Sequence, residues 1–243
     1  MLRTVESIDS TNAEIARQWA AGEARDRDAL RALHQSAGRG RLGRSFVEAP
    51  GEALLVSILR VLPDSADLRS RIGWATLSTG LAMVDALRPV AGDRVALKWP
   101  NDIMLDGKKL GGVLGELLDP EEDLLPVVVG CGINTTAADS PAPGAVSLAQ
   151  AGLPSDDETV AEILDRFRAG VDQRINMVAE GRIAELHKEL TSVCITPGNE
   201  VRVTTADGTI IEGLAGRIDI HGTLIVDTGS ELVRVSGADA ELI

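Results

Sequence analysis

The hydrophobic period of this chain changes once, at Pro197-Gly198. Before that point, apolar stripes at helical spacing alternate with nearly continuous apolar runs, the pattern of helices packed on buried strands. From Glu200 on, the pattern becomes short alternating strands cut by Asp207-Gly208, His221-Gly222 and Thr228-Gly229. The change predicts an α/β or α+β domain over 1–196 and a small all-β barrel or meander over 197–243.

The first part divides into recognisable elements. Residues 3–8 read as a short strand, and Ser10 or Thr11 caps a helix through Ala21. Residues 29–34 read as a strand, and ALLVSIL, 53–59, as one buried on both faces. Trp74, Leu77, Leu81 and Val84 form one stripe of a helix over 69–88, with Pro89 beyond its stop. VALKW, 95–99, is a strand ended by Pro100, and Asp106-Gly107 is a hairpin turn before a strand over 109–118. After the acidic turn 119–123, residues 125–134 form a strand that runs out into glycines, and 135–145 a loop. Ser155 and Glu158 form a capping box for a helix carrying Val160, Ile163, Phe167, Val171, Ile175 and Val178. A further helix covers 182–194.

Composition removes several classes of function. Lys plus Arg number 24 against 37 Asp plus Glu, a net charge of −13, which supplies no basic face for nucleic acid or an anionic membrane. No apolar run approaches the ~20 residues of a membrane span, and MLRTVESIDSTN holds no signal-peptide core, so the expected location is the cytoplasm. Cys131 and Cys194, far apart in sequence, read as two packed thiols rather than a disulfide framework or a zinc site. Only four of the basic residues are Lys, and Lys98, Lys108 and Lys109 fall within twelve positions. A lysine cluster in an arginine-using chain points to sites that want a compact ammonium.

Three polar clusters exceed what the fold needs. Gly38 to Arg44, GRGRLGR, places three guanidiniums among glycines, where planar forks meet carboxylate or phosphate; a solvated loop is the plain alternative. Its spacing is not that of a GxxxxGK[ST] phosphate loop. In KWPNDIMLDGKKLGGVLGE, 98–116, Pro100 sets Asn101 and Asp102 at a strand end. Asp102 is a candidate Mg²⁺ ligand and Asn101 a candidate contact to a base or ribose; a turn bonding its own backbone is the alternative. Gly111 and Gly112 inside the following strand mark a close ligand approach. GCGIN, 130–134, repeats glycines at a strand end, with a bulge around Cys131 as the alternative. His34, His187 and His221 are scattered, and no Ser/His/Asp arrangement is visible. Much fixed positive charge with few general bases suits phosphoryl or nucleotidyl chemistry.

In order and spacing, Ser10-Thr11-Asn12, GRGRLGR, KWPND…GKKLGGVLGE and GCGIN resemble the biotin protein ligases, by motif over residues 5–135. The resemblance implies an α+β fold: a mixed sheet with flanking helices, of the class II synthetase and biotin-lipoate ligase kind, followed by a small SH3-like β-barrel. It implies ATP and biotin as substrates, Mg²⁺, and transfer of biotin to one lysine of a biotin carboxyl carrier protein, as in acetyl-CoA carboxylase. It also implies no DNA and no membrane partner, and a monomer or weak homodimer. Some members carry an N-terminal helix-turn-helix; with Ser-Thr-Asn at residue 10, a monofunctional ligase without repressor activity is expected.

Residue by residue, the resemblance puts Ser10, Thr11, Asn12 and Gln35 on the biotin head group and its neighbouring wall. Gly38, Gly40, Gly112 and Gly132 admit close approach of backbone to ligand. Arg39 and Arg41 lie on the biotin and phosphate side, and Lys109 bridges the biotin carboxyl and the phosphate, making Arg41 and Lys109 the expected catalytic pair. Arg44, Phe46, Asn101, Asp102 and Asn134 join Arg39 and Lys109 on the nucleotide side. The sequence departs from the family pattern at Leu42, often Arg, at Phe46, commonly Trp, and at His34, often an aromatic. A lipoate ligase shares the fold and the acid-activating logic and is the competing assignment.

Overall fold

The computed structural model describes residues 1–46, 49–137 and 143–243. In chain order the first part contains β1 (Leu2–Val5), α1 (Thr11–Ala20), β2 (Ala29–Ala32), β3 (Ala53–Pro63), α2 (Ala66–Arg71) and α3 (Trp74–Ala91). It continues through β4 (Val95–Lys98), β5 (Asp102–Leu105), β6 (Lys108–Leu117), β7 (Leu124–Asn134), α4 (Asp157–Glu180) and α5 (Ile183–Val193). Then follow β8 (Glu200–Thr204), β9 (Ile210–Ile218), β10 (Leu224–Asp227), β11 (Leu232–Val235) and β12 (Asp239–Leu242).

Two sheets result. The first is mixed and seven-stranded, ordered β1-β2-β3-β7-β6-β5-β4, with only β1 and β2 parallel. The second is antiparallel and five-stranded, ordered β11-β10-β9-β8-β12. This is the expected α+β architecture with a small all-β C-terminal unit.

The central strands are apolar on both faces because both faces are covered. Alternate residues of β3 divide between two cores. Leu54, Val56 and Ile58 join the main core with α3 and α4, while Leu59 meets Ile15 of α1 and Val128 of β7 on the other side. Burying each such side chain contributes roughly 1.5–3 kcal/mol. The β5–β6 hairpin turns at Asp106 and Gly107, both at positive φ (50° and 74°), the geometry that favours Asp-Gly.

Four local expectations are corrected. The helix expected over 69–88 is two, α2 and α3, separated at Ile72-Gly73; Ser65 caps the first by accepting from Leu68 N at 3.1 Å. Pro89 lies inside the last turn of α3 rather than beyond it. Its side is exposed and Gly92, at φ 59°, ends the helix, so a ring in the final turn disrupts little. The cap of α4 is Asp156, whose carboxylate accepts from Thr159 N (2.9 Å) and Thr159 Oγ1 (3.1 Å), not Ser155. The first strand also stops at Val5, short of residue 8.

The two sheets share a core: Val201, Val203, Ala215, Leu224, Val226 and Val235 belong to the same buried cluster as α3 and β4. Two indoles stitch the seam. Trp74 Nε1 donates to the Ile220 carbonyl and Trp99 Nε1 to the Gly222 carbonyl, each at 2.9 Å. That seam fixes β12 beside the end of β4.

Candidate active site

A cavity of about 430 Å³ opens where α1, the 38–46 loop, the ends of β4 to β7 and β12 converge. One end is polar but uncharged. Ser10, Thr11, Asn12 and Ser57 all line it and are buried. Thr11 donates from its backbone N–H (2.7 Å) and its hydroxyl (3.0 Å) to Gln35 Oε1. Ser57 Oγ lies 2.7 Å from Thr11 Oγ1 and 2.5 Å from Asn12 Oδ1, and Asn12 Nδ2 donates to Glu116 Oε2 at 2.7 Å. Buried polar groups are retained when bonded, and this chain of bonds, running through Gln35, Thr11, Ser57, Asn12 and Glu116, holds five side chains in fixed orientation. Gly130 permits it: a Cβ there would sit 2.2 Å from Asn12 Oδ1.

The other end is cationic. Lys109 Nζ lies 2.5 Å from Asp102 Oδ1, and Lys98 Nζ 2.8 Å from Asp102 Oδ2. Burial by itself pushes the Asp102 carboxyl up; Lys109 and Lys98 outweigh it and hold the group below the usual carboxylate range. The Lys109 backbone is pinned as well: its N–H donates to Gly144 O at 3.1 Å and its carbonyl accepts from Val146 N at 2.9 Å. Asn101 is locked onto β6, donating from Nδ2 to Val113 O at 2.9 Å. Gly112 stands across from Asp102 and leaves the floor open.

The 38–46 loop folds back on itself. Gly40 N donates to Arg44 O (2.7 Å) and Phe46 N to Gly38 O (3.0 Å). Gly38 is required for this closure, since a Cβ would lie 2.3 Å from Phe46 O. The tip is a 3-10 turn over Arg41–Gly43 with Leu42 at φ 52°. The Phe46 ring rests on Gly132, with its tip 2.9 Å from where a Cβ would be. Arg39 pairs with Glu116 at 3.3 Å, and Arg41 with Asp239 at 3.4 Å. Arg44 also contacts Asp239. The cavity lining carries Arg39, Arg41, Arg44, Lys98 and Lys109 against Asp102, Asp239 and Glu241, a local charge of +2 in a chain of net −13.

Of the residues expected from the sequence, Ser10, Thr11, Asn12, Gln35, Arg39, Gly40, Arg41, Arg44, Phe46, Asn101, Asp102, Lys109, Gly112 and Gly132 line this one cavity. Gly38 and Asn134 do not. Gly38 shapes the loop from behind, and Asn134, buried at the end of β7, donates to Val146 O at 3.2 Å. The sequence assigned no role to Ser57 or Asp239, and placed Lys98, Glu116 and Gly130 inside its candidate clusters without a role of their own. Ser57 has a local signal as the one hydroxyl within the apolar run ALLVSIL, whereas Asp239 has none. Cys131 lines the wall, and burial pushes its thiol far above the ordinary value, so it is no nucleophile at neutral pH.

A cavity with a neutral hydrogen-bonding end and a cationic end is the form expected of a protein that activates a carboxylic acid with a nucleotide. Residues 4–134 match the model of the biotin/lipoate A/B protein ligase family, and the chain belongs to that family. It is 33% identical over 243 residues to a biotin–[acetyl-CoA-carboxylase] ligase of Mycobacterium tuberculosis, covering 98% of this chain and 87% of that protein. It is 29% identical to the bifunctional ligase/repressor BirA of Bacillus spizizenii, covering 98% of this chain and 73% of that one. Its fold is similar to a biotin protein ligase from Aquifex aeolicus in complex with biotin and ATP, with a TM-score of 0.81, 24% identity, and coverage of 100% and 99%.

Proposed function

We propose that this chain joins biotin to ATP as biotinyl-5′-AMP and passes the biotinyl group to a lysine of a biotin carboxyl carrier domain. The observation that carries the reading is the polarity of the cavity in a chain of this family: buried amide and hydroxyl groups at one end, and five lining cations of which only Arg39 reaches toward that end, through Glu116. A small acid with a neutral polar head and a carboxylate tail fits along that gradient.

In the first step a carboxylate oxygen attacks the α-phosphorus. The acyl–oxygen–phosphorus linkage forms, the bond to the bridging oxygen of the β-phosphate breaks, and pyrophosphate leaves. Both reactants are anionic, so their approach is opposed until fixed cations offset the repulsion. Lys109 and Arg41 are assigned to the carboxylate and α-phosphate, with Arg39 and Arg44 beside the remaining phosphates. Ser10, Thr11, Asn12 and Gln35 orient the head group, while Gly112 and Gly132 let backbone approach it. Phe46 and Asn101 face the nucleoside. In the second step a neutral lysine amine attacks the acyl carbon, AMP departs, and the nitrogen loses a proton. The 38–46 loop shields the mixed anhydride from water until the carrier arrives.

Asp102 does not fit a protein-held Mg²⁺ site. Each of its oxygens already faces an ammonium, and among the described residues no group of three His, Cys, Asp or Glu could hold a metal. We assign any divalent cation that accompanies ATP to phosphate oxygens. The carrier is taken to be that of acetyl-CoA carboxylase or a related carboxylase, and the location the cytoplasm; no helix among the described residues is long and apolar enough to cross a membrane.

Mass spectrometry of the protein with Mg-ATP and an equimolar mixture of biotin and lipoate tests the reading. A retained biotinyl-adenylate is expected. A lipoyl-adenylate moves the chain to the other branch of its family, and neither adenylate from folded protein overturns the assignment.

A further inference from the structure

The C-terminal sheet enters the cavity through three consecutive residues. Asp239, first residue of β12, is only 8% exposed. Its Oδ1 lies 3.4 Å from Arg41 Nε, and its Oδ2 touches the Arg44 guanidinium. Just before it, the Ala238 carbonyl accepts from Arg41 Nη2 at 3.3 Å; just after it, the Ala240 carbonyl accepts from Lys98 Nζ at 3.0 Å. Three of the five cations lining the cavity are therefore held from a strand of the other sheet.

Apart from its own backbone bonds and the Phe46 ring on Gly132, the loop that carries the arginines is held mainly through its side-chain ion pairs. The Arg39, Leu42 and Arg44 side chains are exposed, and none of residues 41–43 is buried. A segment with so little apolar burial opens at low free energy unless polar contacts tie it down. Among the described residues its arginines form ion pairs with two carboxylates, Glu116 and Asp239, and Asp239 takes two of the three. Asp239 in turn is rigid: it pairs in register with Thr204 of β8, and its sheet is fused to the first through Trp74 and Trp99. Asp239 engages Arg41 through Nε and the Ala238 carbonyl takes Nη2, leaving Nη1 for an anion.

We propose that Asp239 is a positioning residue: a buried carboxylate on the C-terminal sheet that tethers Arg41 and Arg44 and so presents them to the phosphates before nucleotide binds. The role in phosphate capture rests on the adenylation reading above; the tether itself does not. Ordering the loop in advance removes that cost from binding. Losing the tether therefore weakens capture of ATP and leaves the chemical step at saturation nearly intact. The C-terminal sheet becomes part of the active site without contributing a group that touches substrate.

The experiment compares the full chain with Asp239→Asn, which keeps the shape and removes the charge. Trypsin reports the loop directly in unliganded protein, through cleavage after Arg39, Arg41 and Arg44. The same two proteins are assayed for acyl-adenylate formation. Expected for Asp239→Asn are about fivefold faster nicking within the loop and about a tenfold higher KM for ATP, with kcat and the KM for biotin within about threefold. Asp239→Glu, which keeps the charge, is expected to regain most of the protection. Unchanged nicking overturns the tether. Tighter ATP binding by the variant overturns the presenting role and makes Asp239 a competitor of phosphate. Should Asp239→Asn fail to fold, Arg44→Gln, on the exposed side of the same pair, replaces it, and unchanged cleavage after Arg41 then overturns the tether. Wild-type protein that forms no adenylate overturns the function, while the nicking comparison still decides the tether.

Discussion

Lys109 and Lys98 hold one carboxylate between them: Asp102 faces Lys109 Nζ through Oδ1 at 2.5 Å and Lys98 Nζ through Oδ2 at 2.8 Å. The Lys109 ammonium is thus aimed before any ligand arrives, from a backbone pinned on both sides by Gly144 and Val146. Replacing Lys109 by Ala removes a preorganised cation from the point where two anions must meet. The expected loss is about 2–4 kcal/mol of transition-state stabilisation, roughly a 30- to 900-fold fall in adenylation kcat/KM. An unchanged rate, measured by pyrophosphate release, would remove Lys109 from the reacting centre.

The same pairing has a pH consequence. Asp102 is held below the usual carboxylate range in the folded chain, its ammonium neighbours outweighing its burial. A depressed folded pKa contributes stability that is fully present above the unfolded value of about 3.9 and is lost as pH falls through the folded value. Chemical denaturation of wild type and Asp102→Asn should therefore differ most at pH 5–7, with the difference shrinking as pH falls below about 4 toward the folded value. A difference that persists unchanged to pH 3 would show that the Asn variant suffers from something other than the lost charge.

Much of this was legible in the sequence, for local reasons. Asp106-Gly107 announces its hairpin because both positions need positive φ. Ser10-Thr11-Asn12 announces a cap and a polar wall together. What was not legible depends on distance in the fold. Asn12 meets Glu116, 104 residues away, and Arg41 meets Asp239, 198 residues away. Nothing in ELI or SGAD at the C-terminus marks Asp239 as the partner of a loop near residue 40. Among the elements, the errors came from reading one signal where two compete. Pro89 looks like a stop, yet on an exposed face in a final turn it is tolerated. Ser155 and Asp156 are both good caps, and the carboxylate, accepting twice from Thr159, is the one used.

Gly130→Ala tests the neutral end of the cavity. The added methyl would lie 2.2 Å from Asn12 Oδ1 and 3.1 Å from Ser57 Oγ, so Asn12 must turn away. Its bonds to Ser57 and Glu116 would then break together. Leaving such groups unpaired costs about 1–3 kcal/mol, which predicts a rise in the KM for biotin of roughly 5- to 150-fold. The KM for ATP should change less, because of the lining cations only Arg39, through Glu116, is joined to this network. Calorimetric titration with biotin checks it, and equal loss of both substrates would mean that the two ends do not act separately.

Trp99→Phe tests whether the seam between the sheets supports the site. The indole is buried, and its Nε1 donates to the Gly222 carbonyl at 2.9 Å. Phe keeps an aromatic ring, removes the donor and part of the buried ring volume, and leaves that carbonyl unpaired. The expected cost is about 1–3 kcal/mol, a fall in Tm of roughly 2–10 °C for a chain of this size. The neighbouring residue Lys98 reaches across the same seam to Ala240 O at 3.0 Å. A loosened seam should therefore raise the KM for ATP as well as lower Tm. Thermal unfolding and ATP kinetics on one preparation check both. A lower Tm with an unchanged KM for ATP would show that the seam stabilises the fold but that β12 keeps its place beside β4 without the Trp99 bond.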